Sequence, residues 1–264
     1  MFEGKVVAIT GAAGGIGSAF ARAFAAEGAA LSLSDLSSPD SIAAETGGLA
    51  LACDAGSEDG VRSFIDQTEA ALGAIDIFIA NAGVGMGDPG VAASADDTAW
   101  ETSWNVNVMQ SVYAARALLP GWVQRGSGHF VIVASAAGLL NQIGSASYSA
   151  TKAAAVALAE NIAITHAKDG IKAHAVCPQF VRTAMTEHMD LPDDSPLSLM
   201  EPEDVANALL DAIRNDRFLA LSHPVVAKYA LNKATDRDRW LAGMAHLQDT
   251  MGDQLGLKAF KEST

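Results

Sequence analysis

The chain has 264 residues, 17 basic against 31 acidic side chains and a net charge of −14, a balance that argues against a nucleic-acid or anionic-membrane partner. Half of the residues are hydrophobic, yet no apolar run approaches the roughly 18 residues of a membrane span and no export signal stands at the start, so a soluble, cytoplasmic protein is expected. About 72% of the unfolded surface is buried at this size, enough for one core without disulfide or metal; Cys53 and Cys177 read as isolated reduced thiols, and the six histidines show no metal-ligand spacing.

The first predicted strand, residues 5–10, runs into Thr10-Gly11-Ala12-Ala13-Gly14-Gly15-Ile16-Gly17 and then a helix over 15–28. Glycines at a strand-to-helix turn let the backbone approach a pyrophosphate, whose charge the helix N-terminus stabilises. The turn satisfies G-x-x-x-G-x-G through Gly11, Gly15 and Gly17, and also G-x-x-G-x-x-G through Gly11, Gly14 and Gly17. A second strand, 29–34, ends at Asp35, near the roughly 20-residue offset at which a carboxylate meets the adenosine ribose. That carboxylate repels a 2′-phosphate, and neither the turn nor Leu36 offers an Arg or Lys, so NAD is favoured over NADP.

A third strand, 49–53, leads to Asp54, and a helix spans 57–72. The fourth strand, 75–81, ends in Asn81-Ala82-Gly83, and a helix over 99–125 carries Asn107. The fifth, 129–135, closes on Ser135, and a helix over 146–168 opens with Tyr148-Ser149-Ala150-Thr151-Lys152. The i, i+4 spacing puts phenol and ammonium on one helix face. A sixth strand over 171–177, a helix over 202–215 and a seventh strand over 218–222 follow, with Gly28, Gly73 and Gly170 as helix stops. β-rich runs alternating with Ala-rich helical stretches predict an α/β fold, one Rossmann-type doubly wound domain on a seven-stranded parallel sheet with helices on both faces. The sheet domain takes residues 1–222, and 223–264 form a helical extension of it. There Trp240, Met244, Leu247 and Met251 make one apolar stripe, packed on the domain or a sister subunit, or closing over the site.

In these motifs the sequence resembles the short-chain dehydrogenase/reductase family, in its ordinary-length branch, over residues 4–222. The T-G-x-x-x-G-I-G turn, Asn81-Ala82-Gly83, Asn107, Ser135 thirteen residues before Tyr148, and Tyr148-x-x-x-Lys152 carry the resemblance in order. It implies the sheet order 3-2-1-4-5-6-7 and a catalytic set of Asn107, Ser135, Tyr148 and Lys152. Gly11, Gly15, Ile16, Gly17, Asp35, Asp54, Asn81, Gly83, Tyr148, Lys152 and Thr183 are the implied cofactor contacts. In this reading Tyr148 is the acid/base, its phenol brought toward neutral pH by Lys152 and the nicotinamide's charge. Ser135 holds the substrate oxygen, Lys152 also the nicotinamide ribose, and Asn107 a proton-relay water. A homodimer or homotetramer is expected, pairing through the helices at 99–125 and 146–168. Two departures stand out: Gln179 replaces the Gly that the family places after Pro178, and the tail lacks the family's D-G-G ending.

By family position, Gly85, Met86, Leu139, Leu140, Asn141, Gln142, Phe180, Met185 and Met189 border the substrate, with Met86, Leu140, Gln142, Phe180 and Met185 foremost. They are mainly apolar, which favours a small-molecule apolar secondary alcohol or ketone over an anion. A sugar-nucleotide epimerase or dehydratase is the first alternative, against which the chain is short. A non-catalytic dinucleotide sensor is the second, against which the catalytic set is complete.

Overall fold

Val6–Thr10 (β1) is an apolar run with every side chain buried, and such a run is stable as a strand only when helices cover both sheet faces. In the computed structural model, which describes residues 1–88, 91–187 and 199–251, β1 lies inside a sheet of order β3-β2-β1-β4-β5-β6-β7. The other strands are Ala30–Asp35 (β2), Leu49–Ala52 (β3), Ile77–Ala80 (β4), Gly128–Val133 (β5), Ile171–Val176 (β6) and Leu219–Ala220 (β7). All pair in parallel, with β1 joined to β2 through Val7 opposite Leu31 and to β4 through Ile9 opposite Ile79. The expected order is therefore the observed one, and the polarity of the sheet reverses its winding between β1 and β4, where doubly wound folds open a crevice.

One face packs on Gly15–Ala26 (α1) and Pro202–Arg214 (α8), burying Phe20 and Phe24 of α1 with Val205 and Leu209 of α8 in one cluster. The other packs on Glu58–Leu72 (α3), Gln110–Arg125 (α5) and Ala146–Thr165 (α7), with Phe64, Phe78, Trp122 and Phe130 in its centre. Each fully buried aromatic side chain stabilises by about 1.5–3 kcal/mol relative to exposure.

Four elements depart from the sequence reading. Asp40–Thr46 (α2) and Ala136–Leu140 (α6) are short helices with no long apolar period to announce them. The expected helix over 99–125 is Asp97–Trp104 (α4), a π-helical turn at Asn105–Met109, and α5; the wider turn rotates Asn107 and Val108 into the protein, where both are buried. The tail is two helices, Val225–Thr235 (α9) and Arg237–Met251 (α10), because Asp236 leaves the helical conformation at φ −146° and ψ 94°. Trp240 meets Tyr229 at 6.1 Å between ring centroids and joins Leu139, Leu140 and Val226 in a third, smaller cluster, so within the described residues the tail packs on α6. No helix among the described residues is long and apolar enough to cross a membrane.

Candidate active site

Parallel strands present their carboxyl ends on one edge of the sheet, and there a cleft of about 360 Å³ opens. It borders every residue expected to contact the cofactor: Gly11, Gly15, Ile16 and Gly17 from the turn, Asp35, Asp54, Asn81 and Gly83 from strand ends, Tyr148 and Lys152 from α7, and Thr183. Gly11 turns at φ 64°, and a Cβ on Gly17 would lie 2.1 Å from the Gly11 carbonyl oxygen. A Cβ on Gly15 would lie 2.9 Å from Thr183 Cγ2, whereas Gly14 meets nothing closer than 3.5 Å. Close approach thus falls on Gly11, Gly15 and Gly17, the first of the two spacings.

The first turn of α1 has no acidic residue and no side-chain cap, which leaves its N–H groups and dipole for an anion. Asp35 Oδ2 accepts from Ala13 N–H at 3.0 Å and Oδ1 from Leu36 N–H at 2.8 Å, fixing the carboxylate beside the turn with a lone pair left on each oxygen. Asp54 Oδ1 accepts from Gly56 N–H at 2.9 Å. A side-chain-free cradle, an uncapped helix N-terminus and a carboxylate ending β2 fit a dinucleotide.

The cradle is braced by Thr10 and Asn81 of the motifs and by Gln110, to which the sequence reading gave no role. Thr10 Oγ1 accepts from the N–H groups of Asn81 and Ala82, both at 3.0 Å, and donates to Gln110 Oε1 at 2.9 Å. Gln110 in turn donates to the carbonyls of Ala82 and Val106, and Asn81 Nδ2 donates to those of Thr10 and Gly11 at 2.9 and 3.0 Å. Gln110 lies one turn past Asn107; its partner Thr10 is a hundred positions away, so nothing local marks it.

Asn107, Ser135, Tyr148 and Lys152 converge from three elements. Lys152 Nζ lies 5.6 Å from the Tyr148 ring centroid and donates to the Val133 carbonyl at 2.9 Å. A Cβ on Gly83 would be 3.3 Å from both Lys152 Nζ and Asn107 Oδ1, so these two side chains flank the same glycine. Asn107 Oδ1 accepts from Val84 N–H at 2.9 Å, and Nδ2 donates to the Val84 carbonyl at 3.0 Å and to Thr151 Oγ1 at 3.1 Å. Ser135 caps α6, its Oγ accepting from Ala137 N–H at 3.1 Å. Asp88, from the segment after β4, caps α7 by accepting from Ala146 N–H at 2.8 Å through Oδ2, which sets the first turn on which Tyr148 rides.

The electrostatics oppose the sequence expectation for the phenol. Burial raises the Tyr148 pKa, and the Ser135 hydroxyl pulls it the other way; Tyr148 stays half-buried and open to the cleft, which tempers that upward pressure. Burial also lowers Lys152 to about 8. In the chain alone desolvation, rather than the ammonium, dominates both groups. Burial pushes Cys177 up to about 12 and Cys53 up to about 11, so both free thiols are poor nucleophiles.

The residues expected to border the substrate divide. Met185 lines the dinucleotide cleft, while Leu140, Gln142 and Phe180 line a neighbouring chamber. Met86 lines neither; its carbonyl accepts from Ser145 Oγ at the start of α7. Met189 lies outside the described residues. Gln179 stands between the two spaces and borders both. It does not strain the chain, because among the described residues the left-handed backbone positions outside glycine are Ala93, Asn141 and Asp216; its N–H donates to His223 Nδ1 at 3.3 Å.

A family model described as short chain dehydrogenase matches residues 5–193. The chain is 33% identical over 257 residues to "Oxidoreductase UcpA" of Salmonella typhimurium, covering 93% of each chain. It is 32% identical over 225 residues to "Epidermal retinol dehydrogenase 2" of Homo sapiens, covering 81% of this chain and 72% of that one. The solved structure of a short chain dehydrogenase/reductase from Burkholderia phymatum in complex with NAD aligns with a TM-score of 0.79 and 28% identity, over 90% of this chain and 95% of that one. Motifs, strand order, cleft and relatives agree: the chain belongs to the short-chain dehydrogenase/reductase family of oxidoreductases.

Proposed function

We propose that the chain is an NAD-dependent oxidoreductase interconverting an apolar secondary alcohol and its ketone, with Tyr148 as general acid and base. The observation that carries this reading is the meeting of Tyr148, Lys152 and Ser135 on one wall of the glycine-cradled cleft. When bound there, the nicotinamide supplies the hydride acceptor, or the donor in the reverse direction.

The chain's own residues supply the rest. Tyr148 Oη takes the hydroxyl proton in oxidation and returns it in reduction, and the Ser135 hydroxyl donates to the substrate oxygen where charge develops. Burial raises the phenol, so a base at neutral pH needs nearby positive charge. A cation about 4 Å away at an effective dielectric of 20 is worth ~4 kcal/mol, or ~3 pKa units, which is the work assigned to Lys152 and the oxidised ring's charge. Lys152 also binds the nicotinamide ribose. Asn107, across Gly83 from Lys152, anchors the water through which the proton leaves. Asp35 binds the adenosine ribose hydroxyls and selects NAD over NADP by charge repulsion. The protein works in the cytoplasm as a homodimer or homotetramer that pairs through α4, α5 and α7, whose Trp104 and Ile164 are 45% and 76% exposed.

The test is turnover of a panel of aliphatic, alicyclic and aryl secondary alcohols with NAD+ and with NADP+, read as absorbance of the reduced nicotinamide. Tyr148→Phe should abolish turnover and leave NADH binding nearly intact; full activity in that variant would sink the mechanism. Asp35→Ala should weaken NAD+ binding and relax discrimination against NADP+, and an unchanged preference would remove the ribose assignment. Tight NADH binding with no alcohol turned over would favour the sensor reading.

A further inference from the structure

Beside the catalytic wall, and outside the dinucleotide cleft, lies a chamber of about 680 Å³, within the size range of pockets that enclose a small molecule. Its near wall is the loop between Ser135 and Tyr148, through Leu140, Gln142 and Ile143; its far wall is α9 and α10, through Tyr229, Trp240 and Met244. Gln179, which borders the chamber and the cleft alike, makes the two spaces neighbours at the exit of β6. The far wall is anchored to the catalytic one: Lys233 on α9 donates from Nζ to the Leu139 carbonyl of α6 at 2.7 Å, and α6 begins at its Ser135 cap. The chamber is concave and one of its walls is the loop that joins Ser135 to Tyr148, which suits a small molecule rather than a flat protein surface.

We propose that the α9–α10 pair is the specificity-determining wall of the substrate site, and that the preferred substrate carries a bulky apolar body on its carbinol carbon, seated in this chamber. This inference rests on the hydride-transfer reading above. Small alcohols reach Ser135 and Tyr148 but leave Trp240 and Met244 uncovered. Larger ones gain at each added carbon: about 0.8 kcal/mol per buried methylene is roughly a fourfold gain.

The experiment measures kcat/KM with NAD+ for 2-butanol through 2-decanol in the full chain, in Trp240→Ala, and in Met244→Gln as a milder variant. A calorimetric titration of 2-decanone into the NAD+-loaded protein reads binding without turnover, because ketone and oxidised cofactor do not react together. The expected result is a two- to fourfold rise per methylene up to a plateau. Trp240→Ala should lower the 2-decanol to 2-butanol ratio at least tenfold and weaken 2-decanone to match, with Trp240→Phe recovering most of both. A flat chain-length profile, or equal losses on short and long alcohols, overturns the inference and leaves the reaction standing. Failure of every alcohol, 2-butanol included, overturns the reaction and the inference together. If Trp240→Ala halves the particle mass by light scattering with selectivity unchanged, the face covers a second copy and the inference is wrong.

Discussion

At the amino-terminal side of the sheet polar groups close on one another, while at the carboxyl edge they face a cleft. His129 on β5 stacks on His174 on β6 with centroids 5.3 Å apart and planes 9° apart, and His129 Nδ1 meets His174 Nε2 at 3.1 Å. His174 Nδ1 lies 2.8 Å from the Arg217 carbonyl, so it is the protonated nitrogen. That leaves His174 Nε2 to accept from His129 Nδ1–H, and both rings are neutral. Asp76 likewise accepts from Val6 N–H at 3.0 Å and from Lys5 Nζ at 3.1 Å. At the other edge Lys152 is 4% exposed with a carbonyl for its partner, a buried charge without a counter-charge. One edge is arranged for stability and the other retains strain that ligands relieve, the usual cost of a working site.

The comparison breaks first at Lys152. Burial lowers its pKa from 10.5 to about 8, which at neutral pH, where folded and unfolded chains both hold the proton, costs on the order of 3 kcal/mol. Lys152→Met should therefore lose at least a hundredfold in kcat/KM yet melt several degrees higher without cofactor, and the wild-type chain should gain stability as pH rises from 8 to 10.5. An unchanged or lower melting temperature would show that the ammonium is not under stress.

The histidine pair predicts a slope of the same sign in a lower pH window. Burial, then the neighbouring His174, lower His129 to about 4 from 6.5, so below 6.5 the unfolded chain takes a proton that the folded one refuses. Stability should fall through that window by up to ~3 kcal/mol and level off, for this group, below pH 4. Denaturant titrations across pH 4–7 measure it, and His129→Gln should flatten the slope. The smallest effect belongs to Asp76→Ala, expected to cost about 1–3 kcal/mol while the kcat/KM of the holoenzyme holds; lost activity would mean that the two edges are coupled.

Legibility followed sequence distance. The glycine turn, Asp35 at the end of β2, and Ser135 thirteen residues before Tyr148 were readable because each is a local pattern at a strand end or helix start. Gln110 on Thr10 and Asp88 on the α7 N-terminus were not, since their partners lie 100 and 58 residues away. The π-helical turn escaped because a 3.6-residue period does not register one inserted residue. The break at Asp236 escaped because the stripe of Trp240, Met244 and Leu247 is helical on either reading.

By itself the sequence determined the alternation of strands and helices, the glycine turn and the motif spacings, because period and spacing are short-range properties, and through those motifs the family resemblance supplied the strand order and the candidate catalytic set. The tertiary structure decided what those side chains experience. Burial, set by packing from distant segments, raises Tyr148 and lowers Lys152, and the fold of α9 and α10 over α6 shapes the chamber beside them.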